Sequence, residues 1–250
     1  MYIGITGFRD RMECETVLKA VRPLPAGCQL HLGVMTGRKK LSGIPSKWNQ
    51  SFLSLEELAG IFPDSATDAM YCVHYADYSN ESELVSPAQT EQHLRSIIQT
   101  VGAKLNAIQL DMVLPSPEAI NPLMQAYPHI DWILQLNPET FAITKDVSGL
   151  MERLRAYVRL RYVLLDFSKG TGKPMDAAQL MPIYRQLSSQ YEVVLAGGLG
   201  PTSLHLLGNL LGTTSIDAQG RLTAVNSEPY NTYLNLDDCI SYAKQASLAY

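Results

Sequence analysis

The residues best suited to chemistry are carboxylates at the ends of apolar runs and the glycine-rich turns beside them. In the stretch Arg161-Tyr-Val-Leu-Leu-Asp166-Phe-Ser-Lys-Gly170-Thr171-Gly172-Lys173, Val163 to Leu165 suit a strand covered on both faces. Asp166 then falls where that strand must meet water. Gly170 and Gly172, flanking Thr171, free the backbone to bring N–H groups close to an anion, and Lys173-Pro174 reads as the start of a helix whose positive end faces the same spot. The chemistry would be phosphate binding beside a proton donor. Taken alone, the stretch also reads as a glycine-rich turn next to a solvated Asp. A second glycine element, Ala196-Gly197-Gly198-Leu199-Gly200-Pro201, has the same character, and Ser215-Ile-Asp217-Ala-Gln-Gly220 supplies a third loop. Three loops donating to one anion pocket outweigh any one of them.

Such groups need a scaffold that gathers strand ends. Strand-like and helix-like patterns alternate through the whole chain. Eight strands are expected, near 2–6, 29–35, 69–76, 107–112, 132–136, 162–167, 192–196 and 213–217. Helical patterns follow at 13–21, 55–62, 87–101, 117–126, 147–158, 176–188, 202–211 and 236–249. Ser86-Pro87 and Ser116-Pro117-Glu118 give two of these helices a cap and a first-turn proline. Eight units over residues 1–250 predict a single-domain (β/α)8 TIM barrel, with an open doubly wound sheet as the alternative. Side chains alternate across a strand, so Asp166 facing inward brings Leu164 with it and sends Val163 and Leu165 to the helices. By the same rule Ala107, Gln109 and Asp111 share one face of the fourth strand. Ile133, Gln135 and Asn137 share one face of the fifth, and Cys72, His74 and Ala76 one face of the third. Gln109, Asp111, Gln135, Asn137 and Asp166 thus converge on the carboxyl end of a barrel whose interior is ordinarily apolar, and they need a ligand or one another. His74 and Cys72, taken singly, read as satisfied core residues. Two long connections, 36–54 and 221–235, carry Trp48, Tyr230 and Tyr233, which either close over a ligand or pack without a role.

Composition narrows the partners. The net charge of −4, with Lys and Arg scattered apart from Arg38-Lys39-Lys40, offers no basic face for nucleic acid. No segment is apolar long enough to span a bilayer and the amino terminus enters a strand directly, so the expectation is a cytoplasmic protein with no membrane partner. Four cysteines lie far apart with no C-x-x-C pair, which predicts reduced thiols, no metal site and no disulfide framework. The expected partner is a phosphorylated small molecule, with no cofactor. Oligomeric state is left open.

At these residues the chain resembles phosphoribosylanthranilate isomerase, a barrel enzyme of tryptophan synthesis. Gly4-Ile5-Thr6 is similar to the family's Cys-Gly-Ile/Leu-Thr, and Leu105-Asn-Ala-Ile-Gln-Leu110 to its fourth strand. Leu164-Leu-Asp166 with Gly170-Thr-Gly172-Lys173 and Asp176 resembles the sixth-strand motif, and Ala196-Gly-Gly-Leu199-x-Pro201 the seventh. The resemblance implies that Asp166 is a general acid opening a ribose ring, and that Gly172, Lys173, Gly197 and Gly198 hold phosphate. It also implies that Arg38, loosely matched to an arginine after the second strand, orients an anthranilate carboxylate. Departures accompany it. The family's general-base cysteine aligns with Ile3, the usual fourth-strand His with Asp111, and the eighth-strand motif is reduced to Ile216-Asp-Ala-Gln-Gly220. An isoleucine accepts no proton, so Asp111, or less favoured His74, is the expected replacement base. A protein that keeps the phosphate pocket as a non-catalytic sensor or scaffold is the other reading, and a true isomerase using Asp111 a third.

Overall fold

The computed structural model describes residues 1–64, 66–78, 86–166, 177–224 and 231–250. Strand β1 (Tyr2–Phe8) leads to helix α1 (Arg11–Val21), and β2 (Gln29–Gly37) to the short helices α2 (Arg38–Leu41) and α3 (Leu55–Leu58). Then come β3 (Ala69–Asp77), α4 (Pro87–Val101), β4 (Ala107–Met112), α5 (Pro117–Ala126) and β5 (Asp131–Leu136). Helices α6 (Pro138–Thr144) and α7 (Val147–Leu154) precede β6 (Leu160–Asp166), and α8 (Ala177–Leu187) precedes β7 (Glu192–Ala196). A 3₁₀ segment, Leu204–Leu210, precedes β8 (Ser215–Ala218), and α9 (Leu236–Ser247) closes the chain. The eight strands form a closed parallel barrel in sequence order, β8 returning to β1 through Ile3–Ile216, Gly4–Asp217 and Ile5–Ala218. This is the expected (β/α)8 architecture rather than an open sheet.

Local signals set several helix starts. Ser86 and Ser116 accept backbone N–H bonds at the heads of α4 and α5 with proline in each first turn, and Asp10, Asp146 and Asn235 do the same for α1, α7 and α9. Each cap contributes about 1 kcal/mol. Some expected helices are shorter. The one expected at 55–62 stops at Leu58, just before Gly60 at φ +76°. The one at 147–158 stops at Leu154. That at 202–211 is 3₁₀ with a break at Gly208 (φ 51°), a conformation glycine takes without a steric penalty. Asn137, expected as an inward strand residue, instead caps α6, its Oδ1 accepting from Thr140 N and Oγ1 at 3.0 Å each. No helix of the described residues is long and apolar enough to cross a membrane.

The alternation predicted for the third to sixth strands is present as two separate cores. Val73, Tyr75, Ile108, Leu110, Leu134, Leu136, Val163 and Leu165 pack with the helices. Met70, Cys72, Ala107, Ile133 and Leu164 fill the barrel, together with Tyr2, Tyr162, Val194 and Ala196. Tyr2 stacks on His31 (4.8 Å between centroids, 18° between planes) and meets Tyr162 edge-on at 5.4 Å. Burial lowers His31 to about 3, so this buried imidazole is neutral, and burial pushes the Cys72 thiol well up. Cys72 is a core residue, as expected.

The first strand carries a correction. Ile3 and Ile5 belong to the helix-facing core, whereas Tyr2 fills the barrel and Thr6 lines the cavity above it. Ile3 therefore points away from the barrel interior and does not occupy a base position. A one-residue offset in a strand turns every side chain to the other face, so similarity of Gly4-Ile5-Thr6 to a motif did not fix which residue faces in.

Candidate functional site

At the carboxyl end of the barrel the strand ends surround a cavity of about 690 Å³. Asp111, Asp166, Gln109, Gln135, Gly197, Gly198, Gly220 and Arg38 all line it, so most of the expected site residues meet in one place. Asn137 reaches it indirectly, its Nδ2 donating at 3.4 Å to the Tyr78 hydroxyl. Gly170, Thr171, Gly172 and Lys173 lie outside the described residues.

Strand register places two carboxylates on one level. Asp166 of β6 pairs with Ala196 of β7, and Ala196 with Asp217 of β8. Two strand spacings separate the carboxylate-bearing residues by about 10 Å, with only a methyl group between them. Asp217 is 5% exposed and accepts from Thr6 Oγ1 at 3.1 and 3.3 Å. Burial pushes its carboxyl up to about 7, against the lowering effect of the Thr6 bond. Glycines make room for this pair. A β-carbon on Gly4 would lie 2.6 Å from Asp217 Oδ1, and one on Gly33 2.6 Å from Thr6 Oγ1.

A chain of hydrogen bonds crosses the floor from β6 to β3. Gln135 Nε2 donates to Asp166 Oδ2 at 3.4 Å, and Gln109 Nε2 donates to Gln135 Oε1 at 2.8 Å. The Gln109 amide also lies 3.2 Å from His74 Nδ1, while His74 Nε2 is 3.0 Å from Asp111 Oδ2. Tyr78 donates its hydroxyl to Asp111 Oδ1, and burial together with Asp111 raises that phenol above its ordinary range. Both oxygens of Asp111 are thus engaged. His74 is satisfied, as a core residue would be, yet it lines the cavity.

Of the glycine elements, Gly197, Gly198 and Gly220 line the cavity. Gly197 (φ 107°) and Gly198 (φ 67°) are successive residues in a region that side chains disfavour, and Ser203 Oγ donates to the Gly198 carbonyl at 2.8 Å. Gly220 follows β8 at the head of a short 3₁₀ turn. On the β2 side, Arg38 Nε donates to Asp77 Oδ1 at 3.0 Å with both side chains almost fully buried. Lys39, Lys47, Trp48 and Phe52 complete that wall, the two rings stacked at 6.1 Å and 13°. Trp48 lines the cavity as its loop position suggested. Tyr233 instead lies under the Arg9 guanidinium, 4.3 Å from its ring centroid, and Tyr230 is outside the described residues. Arg9 also donates to Asn231 Oδ1 at 3.2 Å and to the Gln50 carbonyl at 2.6 Å, joining the loops after β2 and β8.

Asp217, Thr6 and Tyr78 were not among the expected site residues. Alternation would have found Asp217, because Ser215 and Asp217 share the inward face of β8 while Ile216 and Ala218 pack outward. Thr6 was marked only as the end of the Gly4-Ile5-Thr6 motif and Tyr78 not at all, and they join the site through partners 211 and 33 residues away.

Comparison of the sequence with protein-family models gives no match, and comparison with curated proteins gives none. The fold does match solved structures. The chain is similar to an N-(5'-phosphoribosyl)anthranilate isomerase from Pyrococcus furiosus (TM-score 0.63, 16% identity, 98% of each chain covered). It is similar to a phosphoribosyl anthranilate isomerase from Thermococcus kodakaraensis (TM-score 0.56, 16% identity, 98% and 97% covered). It also matches the tryptophan synthase alpha subunit from Legionella pneumophila (TM-score 0.56, 10% identity, 99% and 90% covered). At these identities the likeness is one of fold, shared by barrels of differing chemistry.

Proposed function

We propose that the cavity binds a phosphorylated sugar derivative and isomerises it by proton transfer, with Asp166 as acid and Asp217 as base. The observation that carries this reading is the placement of Asp166 and Asp217 on one level of β6 and β8, with Gly197 and Gly198 opening directly above the strand between them. Backbone N–H groups of Gly197, Gly198 and Gly220 would take the phosphate, joined by Gly170–Lys173 on the strength of the sequence resemblance. The β2 wall, with Arg38, Lys39, Lys47 and the Trp48–Phe52 stack, suits a flat anionic group at the other end of the ligand. N-(5'-phosphoribosyl)anthranilate, named in the similar structures, has both features.

The chemistry would be an Amadori-type rearrangement. Asp166 protonates the ring oxygen as its bond to the anomeric carbon breaks, giving an open-chain iminium. Asp217 then removes the proton on the next carbon, the electron pair neutralises the iminium, and the resulting enol-amine becomes a ketone. No atom is gained or lost. Asp217 suits the second step because a carboxyl tuned to about 7 by burial is part-ionised near neutral pH and basic enough to accept a proton. Asp111, the base expected from sequence, is better suited to orienting His74, since its oxygens already receive His74 and Tyr78.

The test is binding and turnover of N-(5'-phosphoribosyl)anthranilate by the wild type, Asp166→Asn and Asp217→Asn. Binding by all three, with turnover reduced about 10²–10⁴-fold in each variant, is expected. Binding without turnover in the wild type would favour the sensor or scaffold reading. Failure to bind any phosphorylated sugar would remove both.

A further inference from the structure

The chain of bonds on the cavity floor has a direction, and one end of it sets that direction. His74, Gln109, Asp111, Gln135 and Asp166 are each at most 9% exposed. An ionised Asp166 only accepts, so Gln135 must turn its NH₂ to Asp166 and its oxygen to Gln109. Gln109 must then offer its NH₂ to Gln135. The second hydrogen of that NH₂ meets His74 Nδ1, which is therefore a lone pair. Neutral His74 carries its proton on Nε2 and donates it to Asp111. Gln109 Oε1 is left buried without a hydrogen-bond partner.

A proton on Asp166 Oδ2 reverses every step. The new O–H donates to the Gln135 oxygen, the Gln135 NH₂ donates to the Gln109 oxygen, and that oxygen, with two lone pairs, also accepts from a proton on His74 Nδ1. His74 keeps its Nε2 proton and still donates it to Asp111, so in this arrangement it is an imidazolium held between an amide oxygen and a carboxylate. Two protons have been taken up, one on Asp166 and one on Nδ1, and no other bond to hydrogen has changed. The first arrangement leaves the Gln109 oxygen unpaired and the second leaves its NH₂ unpaired. Hydrogen-bond count therefore favours neither, and ionisation decides between them.

We propose that Gln109 and Gln135 are positioning residues that form a reversible two-amide relay, through which Asp166 and His74 gain and lose their protons together. Other charged or titratable groups near His74 are Asp111 on β4, Asp217 on β8 and His31 on β2. Tyr78 donates to Asp111 from beyond the end of β3. Asp217 acts on His74 through space whichever way the amides point, so it is kept intact in the test. The consequence for turnover is that Asp166 is loaded as an acid only while His74 and Asp111 form an ion pair. That consequence rests on the proposed role of Asp166. The coupling itself does not, and the test reads the coupling alone.

Side-chain ¹⁵N NMR of labelled histidine, with His74 assigned from a His74→Gln variant, reports tautomer and charge across about pH 5 to 9. In the wild type at high pH, His74 is expected as the Nε2–H tautomer. Asp166→Asn, whose amide mimics the protonated carboxyl as a donor, is expected to favour a second proton at Nδ1 beside the one on Nε2, and so to keep His74 as the imidazolium to higher pH than in the wild type. Gln135→Met, close in volume but unable to relay, is expected to abolish that response in the double variant. A His74 signal indifferent to Asp166→Asn, or one that responds equally in the Gln135→Met background, overturns the relay. Should Gln135→Met fail to fold, the wild type still decides the matter. Shared midpoints for the His74 ¹⁵N and Asp166 carboxyl ¹³C resonances support the relay, and independent single-site curves refute it.

Discussion

Replacing Asp217 by Asn gives the most direct check on the site, because its expected effect has both a sign and a size. The carboxyl is raised from 3.8 to about 7, chiefly by burial, so the folded state holds a proton that the unfolded chain has released. Below about pH 4 the group is protonated in both states and has no effect on the balance. As pH rises toward 7 the unfolded chain ionises first, and stability falls by about 4 kcal/mol in total before levelling off above the folded value. Asn cannot ionise and can still accept from Thr6 through its amide oxygen. Its stability relative to the wild type should therefore climb between about pH 4 and 8 by up to about 4 kcal/mol, or roughly 8–16 °C in Tm for a chain of this size. Urea denaturation of both proteins at several pH values measures this. A wild-type-to-variant difference that stays constant with pH would refute the reasoning, since Asp217 would then titrate as a solvated carboxyl.

Three further outcomes are expected. Gly4→Ala places a β-carbon 2.6 Å from Asp217 Oδ1 and should cost about 1–3 kcal/mol in urea denaturation while weakening the ligand; an unchanged midpoint would mean that the carboxyl is not held against β1. Gly197→Val, at φ 107°, should abolish binding of a phosphorylated sugar measured by calorimetry, and wild-type affinity would remove the second glycine element from the proposed phosphate site. Ile3→Cys should give no gain in isomerase turnover and a thiol that resists modification in the native state, because residue 3 packs against the helices; a reactive thiol there would reverse the assignment of β1.

The sequence by itself determined the barrel and the end of it that carries polar residues. Eight alternating units are recorded in apolar runs and helix starts, and the third to sixth strands carry an alternation strong enough to orient Gln109, Asp111, Gln135 and Asp166. Such patterns are local, set by one strand's contacts with its own two faces. What only the tertiary structure decided was the facing of β1 and the partners across the barrel. Gly4-Ile5-Thr6 reads equally well in either orientation, and the pairing of Gly4 with Asp217 and of Thr6 with the same carboxylate settled it. The rise of Asp217 to about 7 follows from burial by elements scattered over the chain, and the occupation of both Asp111 oxygens follows from Tyr78 and His74 arriving from β3 and its end. Proton affinity and hydrogen-bond direction depend on what surrounds a group in space, and closure of the barrel brings together residues that no local pattern connects.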